Sequence, residues 1–108
     1  MYKDGQPGDL KLETRTNGNV VNSLVVKQNQ PNPWTDYTEV YYTVGHTTKV
    51  VFTVFDIQGR RVFTKTDNVT AGKHRVRLDN ADLNGVGLYT YTVQTDNETV
   101  RKKMILVE

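Results

Sequence analysis

Apolar and polar side chains alternate along most of this chain, which is the pattern of β-strands with one buried face. Four segments show the alternation most clearly, and each places three largely apolar side chains on one face. They are 37–44 (Val40, Tyr42, Val44), 49–56 (Val50, Phe52, Val54), 73–78 (His74, Val76, Leu78) and 88–94 (Tyr89, Tyr91, Val93). Val51 and Phe55 lie on the opposite face of the second segment, so we expect that strand to be covered on both sides.

Weaker strand signals lie between turns that are rich in Gly, Asn, Asp and Pro. The weaker segments are 10–16, 24–27, 61–66 and 100–107, and the turns include 17–19, 57–60, 71–72 and 95–98. A loop at 79–87 contains one apolar anchor, Leu83. No amphipathic helix of useful length is present in the pattern. The sequence therefore predicts an all-β fold, an immunoglobulin-like antiparallel β-sandwich of seven to eight strands.

The length and charge of the chain favour a single small binding or structural domain. A chain of 108 residues fits one domain, which we place at 24–108, with 1–23 as a linker or first strand at the end of an upstream region. The net charge is only +2, and the one basic cluster, 101–103, is short, so we expect no nucleic-acid partner. No apolar run approaches the roughly 20 residues that span a bilayer. We expect a monomer that does not insert into membranes.

The chain lacks the residue groups on which most enzymes depend. It contains no Cys, and its only Ser, Ser23, has no predicted neighbour among His46 and His74. Residues 79–82 (DNAD) have spacing similar to that of calcium ligands, but they lack the Gly and flanking acids of a calcium loop and are better interpreted as a turn. We therefore predict no catalytic residues, no metal and no cofactor.

Aromatic residues leave one binding function open. Tyr41 is predicted to point away from the apolar face of its strand, and Trp34 follows two prolines. Exposed together, they could form a stacking platform for sugars. Trp34 could instead wedge its loop onto the core, which we favour. In the same loop, Asn32 and Pro33 are expected to fix a turn and to deny hydrogen bonds to a strand edge.

Five segments occur in a characteristic order: 24–34 (LVVKQNQPNPW), 50–62 (VVFTVFDIQGRRV), 71–78 (AGKHRVRL), 84–93 (NGVGLYTYTV) and 101–107 (RKKMILV). Together they resemble the C-terminal sorting domains of the type IX secretion system, of the immunoglobulin-like type A. Trp34 stands where the family usually has Phe. The residues that carry the family motifs are Asn29, Pro31, Asn32, Pro33, Trp34, Asp56, Gly59, Gly72, Gly85 and Tyr89.

This resemblance implies a non-catalytic sorting signal that directs an upstream cargo across the outer membrane. The cargo would be secreted or placed on the cell surface, via the periplasm. The implied partners are the type IX translocon, an outer-membrane shuttle protein and a sortase-like protease that cuts within residues 1–23. Recognition is expected at the last strand, through Lys102, Lys103, Met104, Ile105, Leu106 and Val107. The alternative function is a carbohydrate-binding or adhesion accessory module of a secreted protein.

Overall fold

The computed structural model describes residues 23–108, which form two antiparallel sheets. The seven strands are β1 (Val25–Val26), β2 (Tyr37–Val44), β3 (Thr48–Phe55), β4 (Arg61–Val69), β5 (Gly72–Asp79), β6 (Gly87–Gln94) and β7 (Thr99–Leu106). A 3-10 turn at Asn80–Asp82 lies between β5 and β6. The predicted β-sandwich is confirmed. The strand predicted at 10–16 and the turn at 17–19 lie outside the described residues.

The strand order explains how the sequence pattern becomes a core. One sheet has the order β1-β2-β5, and the other has the order β4-β3-β6-β7. The apolar faces predicted for β2, β3 and β6 are buried against one another, as are Val76 and Leu78 of β5. His74 is half-buried, and its Nε2 lies 2.7 Å from the carbonyl oxygen of Thr70. Burial of an apolar side chain such as Val76 or Leu78 stabilises the fold by about 1.5–3 kcal/mol.

The outer face of β3 is covered only in part. Val51 and Phe55 are half-buried, whereas Thr53 between them is buried. β3 lies between β4 and β6, so side chains of these two neighbours flank Thr53. The expectation that β3 is covered on both sides is therefore met only at its centre.

A tight hairpin joins β3 to β4. The Oδ1 atom of Asp56 accepts hydrogen bonds from the backbone N–H groups of Arg60 and Gln58, both at 2.9 Å. Its Oδ2 atom accepts a third from Arg60 Nε, also at 2.9 Å. These bonds, above all that from the Arg60 backbone, lower the pKa of Asp56 below its ordinary value. Gly59 has a φ of +84°, which a residue with a side chain rarely adopts.

Candidate functional site

The last strand, β7, ends the four-stranded sheet within the described residues, and it pairs with β6 along its length. The alternation of its side chains divides the six predicted recognition residues between two faces. Met104 and Leu106 point into the core and are buried, and Lys102 shares their face and is half-buried. Lys103, Ile105 and Val107 are exposed on the outer face. In the folded domain, these three outer residues are therefore the exposed members of the predicted set, and Lys102 is accessible only in part.

The unpaired edge of β7 is covered by residues 28–34, which we call the strap. Trp34 N–H donates to the carbonyl of Ile105 at 3.0 Å, and Val107 N–H donates to the carbonyl of Trp34 at 2.8 Å. Ile105 N–H donates to Asn32 Oδ1 at 3.0 Å. The side-chain amide of Gln28 donates to the carbonyl of Lys103 at 2.7 Å. The strap therefore closes the edge from Lys103 to Val107.

This contact corrects one sequence-based expectation. Asn32 and Pro33 do not deny hydrogen bonds to the strand edge. Proline has no N–H group to donate, but the Asn32 side chain and the Trp34 backbone on either side of Pro33 supply bonds to β7. The peptide bonds that precede Pro31 and Pro33 are both cis.

Two buried side chains anchor the strap to the core. Trp34 is only 1% exposed, so the predicted wedge is confirmed and the indole cannot belong to a sugar-binding platform. Asn29 is also 1% exposed. Its Nδ2 donates to the carbonyl of Pro31 and to Thr38 Oγ1, both at 3.0 Å. Its backbone N–H donates to the hydroxyl of Tyr91 at 3.0 Å. Burial of Tyr91 raises the pKa of this phenol.

Replacing Asn29 with Ala is expected to lower the free energy of unfolding by about 1–3 kcal/mol, since it removes both hydrogen bonds of the Asn29 amide and leaves the Pro31 carbonyl with only the bond donated by Thr38 Oγ1. Asp at this position is expected to be at least as destabilising, because a carboxylate oxygen would face the Pro31 carbonyl. Chemical denaturation of each variant measures the loss. Gln30, which is exposed in the same segment, provides the matched control, and Gln30→Ala should change stability by no more than about 0.5 kcal/mol. Equal stabilities for the Asn29 and Gln30 variants would contradict the anchoring role.

The remaining motif residues are also placed where they build the fold. Tyr89 is buried, and its hydroxyl donates to the carbonyl of Gly85 at 2.6 Å, which fixes the loop before β6. Gly85 has a φ of +111° in that loop. Gly72, the second residue of the turn predicted at 71–72, is the first residue of β5. The buried and turn-forming members of the motif set therefore build the fold, whereas Pro31, Asn32 and Pro33 are exposed in the strap.

Five exposed hydrophobic side chains gather at one end of the four-stranded sheet. Together with Arg101 and Lys103 they form what we call the terminal face, whose apolar members are Ile57, Val86, Leu88, Ile105 and Val107. Leu88 and Ile105 are direct cross-strand partners. A cavity of about 420 Å³ is lined by Ile57, Leu88, Arg101 and Lys103, among others. A second surface cavity, of about 290 Å³, is lined in part by Val86 and Val107.

Sequence reasoning found only the β7 part of this face. Ile57 lies in a predicted turn, and Leu88 and Val86 lie outside the apolar faces that the alternation identifies. Leu88 was a signal that the sequence offered for this face. It shares one face of the predicted strand 88–94 with Thr90 and Thr92, and a large apolar side chain on an otherwise polar face indicates an exposed apolar residue. Large apolar side chains that gather on an exposed surface often mark an interaction site.

Other types of site receive little support from residues 23–108. Within this range, no three or more His, Asp or Glu side chains are grouped so as to hold a metal ion. The 79–82 segment forms the 3-10 turn, in which Asp82 Oδ2 accepts the N–H of Asp79 at 2.9 Å. None of the helical structure in the same range is long and apolar enough to cross a membrane.

Comparison with known proteins identifies one matching family and a similar fold. A sequence model of the family described as "Secretion system C-terminal sorting domain" matches residues 28–108. A search of curated proteins gave no match. A search of solved structures matched the crystal structure of dimeric latent PorU from Porphyromonas gingivalis, with a TM-score of 0.59 and 21% identity over 87% of this chain. The match covers 10% of that chain, and at this identity it shows the fold alone.

Proposed function

We propose that this chain, which belongs to the family of secretion system C-terminal sorting domains, directs an upstream cargo through the type IX secretion system and across the outer membrane. The observation that carries the proposal is the family match over residues 28–108, which include the strap and strands β2 to β7. Members of such a family interact with secretion machinery, and their cargo is secreted or held at the cell surface. The family is generally non-catalytic, so the domain serves as a signal.

The finer assignments follow from this role. Residues 24–108 act as the sorting unit, and residues 1–23 connect it to the cargo. The partners are the type IX translocon, an outer-membrane shuttle protein and a sortase-like protease, which meet the protein after it has reached the periplasm. The protease acts within residues 1–23. The start of the family match at residue 28 supports the boundary at residue 24.

The machinery reads the terminal face and not the edge of β7. A partner that added a strand to this edge would have to displace the four hydrogen bonds of the strap. The terminal face is open, and it combines an apolar centre with the cations of Arg101 and Lys103. This composition suits a partner surface that has an apolar centre and acidic groups at its rim.

Export of a reporter tests the sorting role. The full chain is fused to the C-terminus of a fluorescent protein that carries a signal peptide, and the fusion is expressed in a bacterium with an intact type IX system and in a translocon-deficient strain. We expect the reporter on the surface or in the medium only in the intact strain. Retention in the periplasm of both strains, with the domain resistant to protease and therefore folded, would refute the proposal.

A further inference from the structure

The outer face of the three-stranded sheet has a composition different from that of the terminal face. Strand register places its side chains in rows across β1, β2 and β5. We call this surface the tyrosine face; its residues are Val25, Lys27, Tyr37, Glu39, Tyr41, Thr43, Lys73, Arg75, Arg77 and Asp79. Four of these side chains are cations and two are carboxylates. The surface therefore carries a net charge of +2 (4 − 2) around two tyrosines that are each about 40% exposed.

Tyr41 is held in a fixed position at the centre of this surface. It pairs with Arg75 across β2 and β5, and its carbonyl accepts the N–H of Lys27 at 2.9 Å. Its hydroxyl donates to Glu39 Oε1 at 3.1 Å. The other oxygen of Glu39 lies 3.4 Å from a guanidinium nitrogen of Arg75. The ring is thus restrained through its hydroxyl while 41% of the residue remains accessible.

Tyr37 is less available than Tyr41. The guanidinium carbon of Arg77 lies 4.1 Å from the centre of the Tyr37 ring, so one face of that ring is already covered. Arg77 Nε also donates to Asp79 Oδ1 at 3.0 Å. Both carboxylates of the surface are therefore engaged by arginines, and Tyr41 offers the better stacking surface.

Two cavities meet at Tyr41. The first, of about 310 Å³, is lined by Val25, Lys27, Tyr42, Thr43, Lys73 and His74, and the second, of about 680 Å³, by Tyr37, Glu39 and residues of the strap. Tyr41, Gln28 and Gln30 line both. The first volume lies at the lower end of the range of about 300–1,000 Å³ found for small-molecule sites. An aromatic ring between two open cavities, with amides nearby and cations at one end, fits a chain of sugar rings.

We propose that the tyrosine face binds an anionic saccharide. One sugar ring stacks its C–H face on Tyr41, Gln30 hydrogen-bonds sugar hydroxyls, and Lys27 and Lys73 face a carboxylate, sulfate or phosphate on the adjacent ring. A saccharide suits this surface better than an acidic peptide, because the site is open and offers a flat ring with amide groups and no deep side-chain pocket. This function lies on the opposite sheet from the terminal face and goes beyond sorting.

Calorimetric titration of the full chain tests the proposal, with a heparin-derived octasaccharide as the anionic probe. A neutral dextran-derived octasaccharide and a glutamate peptide of similar charge separate sugar recognition from simple charge attraction. The variants are Tyr41→Ala and Lys73→Gln. Lys49→Gln is the matched control, since Lys49 is an exposed cation on the outer face of the other sheet.

We expect the heparin octasaccharide to bind more tightly than the other two probes. Tyr41→Ala should weaken this binding by about tenfold or more, and Lys73→Gln by about three- to tenfold. Lys49→Gln should stay within about twofold of the unmodified chain. Unchanged affinity in Tyr41→Ala would overturn the proposal, as would equal losses in the two lysine variants or equal binding of the glutamate peptide. Unchanged melting temperatures establish that each variant is folded.

Discussion

Replacing Trp34 with Ala is expected to lower the free energy of unfolding by about 3–5 kcal/mol. The indole is 1% exposed, so its removal leaves a cavity in the core. The backbone of the same residue pairs with β7 through both its N–H and its carbonyl. Loss of the buried indole therefore also weakens the hydrogen bonds between the strap and the edge of β7. Chemical denaturation measures the stability. Hydrogen exchange at the amides of Ile105 and Val107 should become faster than that of core amides in β3.

Trp34→Phe is the matched control for this change. Within the described residues, the Nε1 atom of Trp34 is buried without a hydrogen-bond partner, so Phe removes no hydrogen bond found there. A ring still fills most of the space, and we expect a loss of no more than about 2 kcal/mol. A loss below about 1 kcal/mol for Trp34→Ala would contradict the anchoring role of this side chain.

Deleting residues 101–108 is expected to abolish the cooperative fold. The deletion removes Met104 and Leu106 from the core, each worth about 1.5–3 kcal/mol, and it leaves β6 without its partner along one edge. The strap would also lose all four of its hydrogen bonds to β7. These losses compare with a total stability of about 5–15 kcal/mol for a typical domain.

Circular dichroism and limited proteolysis detect the effect of this deletion. Removal of the exposed Glu108 alone is the control and should leave the melting temperature within a few degrees of the original. A cooperative melt of the chain that lacks 101–108, close to that of the full chain, would show that β7 is dispensable for folding. Loss of export after this deletion has two explanations, since unfolding and loss of a recognition surface give the same result.

Alternation of side chains predicted most strands because each sheet has one buried face. It underestimated β4, which was expected at 61–66 and extends to Val69. Residues 64–68 are all exposed, so neither face of this stretch is buried and the sequence shows no alternation of apolar and polar residues there. The strand continues to Val69 because its backbone pairs with β3. The same alternation separates Lys102 from Lys103, although the two are adjacent in the sequence and were assigned to one recognition set.

The strap was beyond the reach of local patterns. Its bonds to β7 join residues that are more than 70 positions apart, and two of them use side-chain amides. Nothing in the sequence of 28–34 specifies which edge those amides meet. Most of the terminal face was missed for a related reason, because Ile57 and Leu88 come from elements that only the sheet order brings beside Ile105.

Export of a variant with an altered terminal face most directly tests whether the machinery reads this surface. Leu88→Thr, Lys103→Gln and Ile105→Thr are combined in the reporter fusion, since Thr favours strands and all three side chains are exposed. Val25→Thr with Lys49→Gln, on other exposed surfaces, is the control. With melting temperatures held within a few degrees, we predict that the triple variant loses about nine-tenths of export. The control should be exported normally. Normal export of the folded triple variant would contradict recognition through the terminal face.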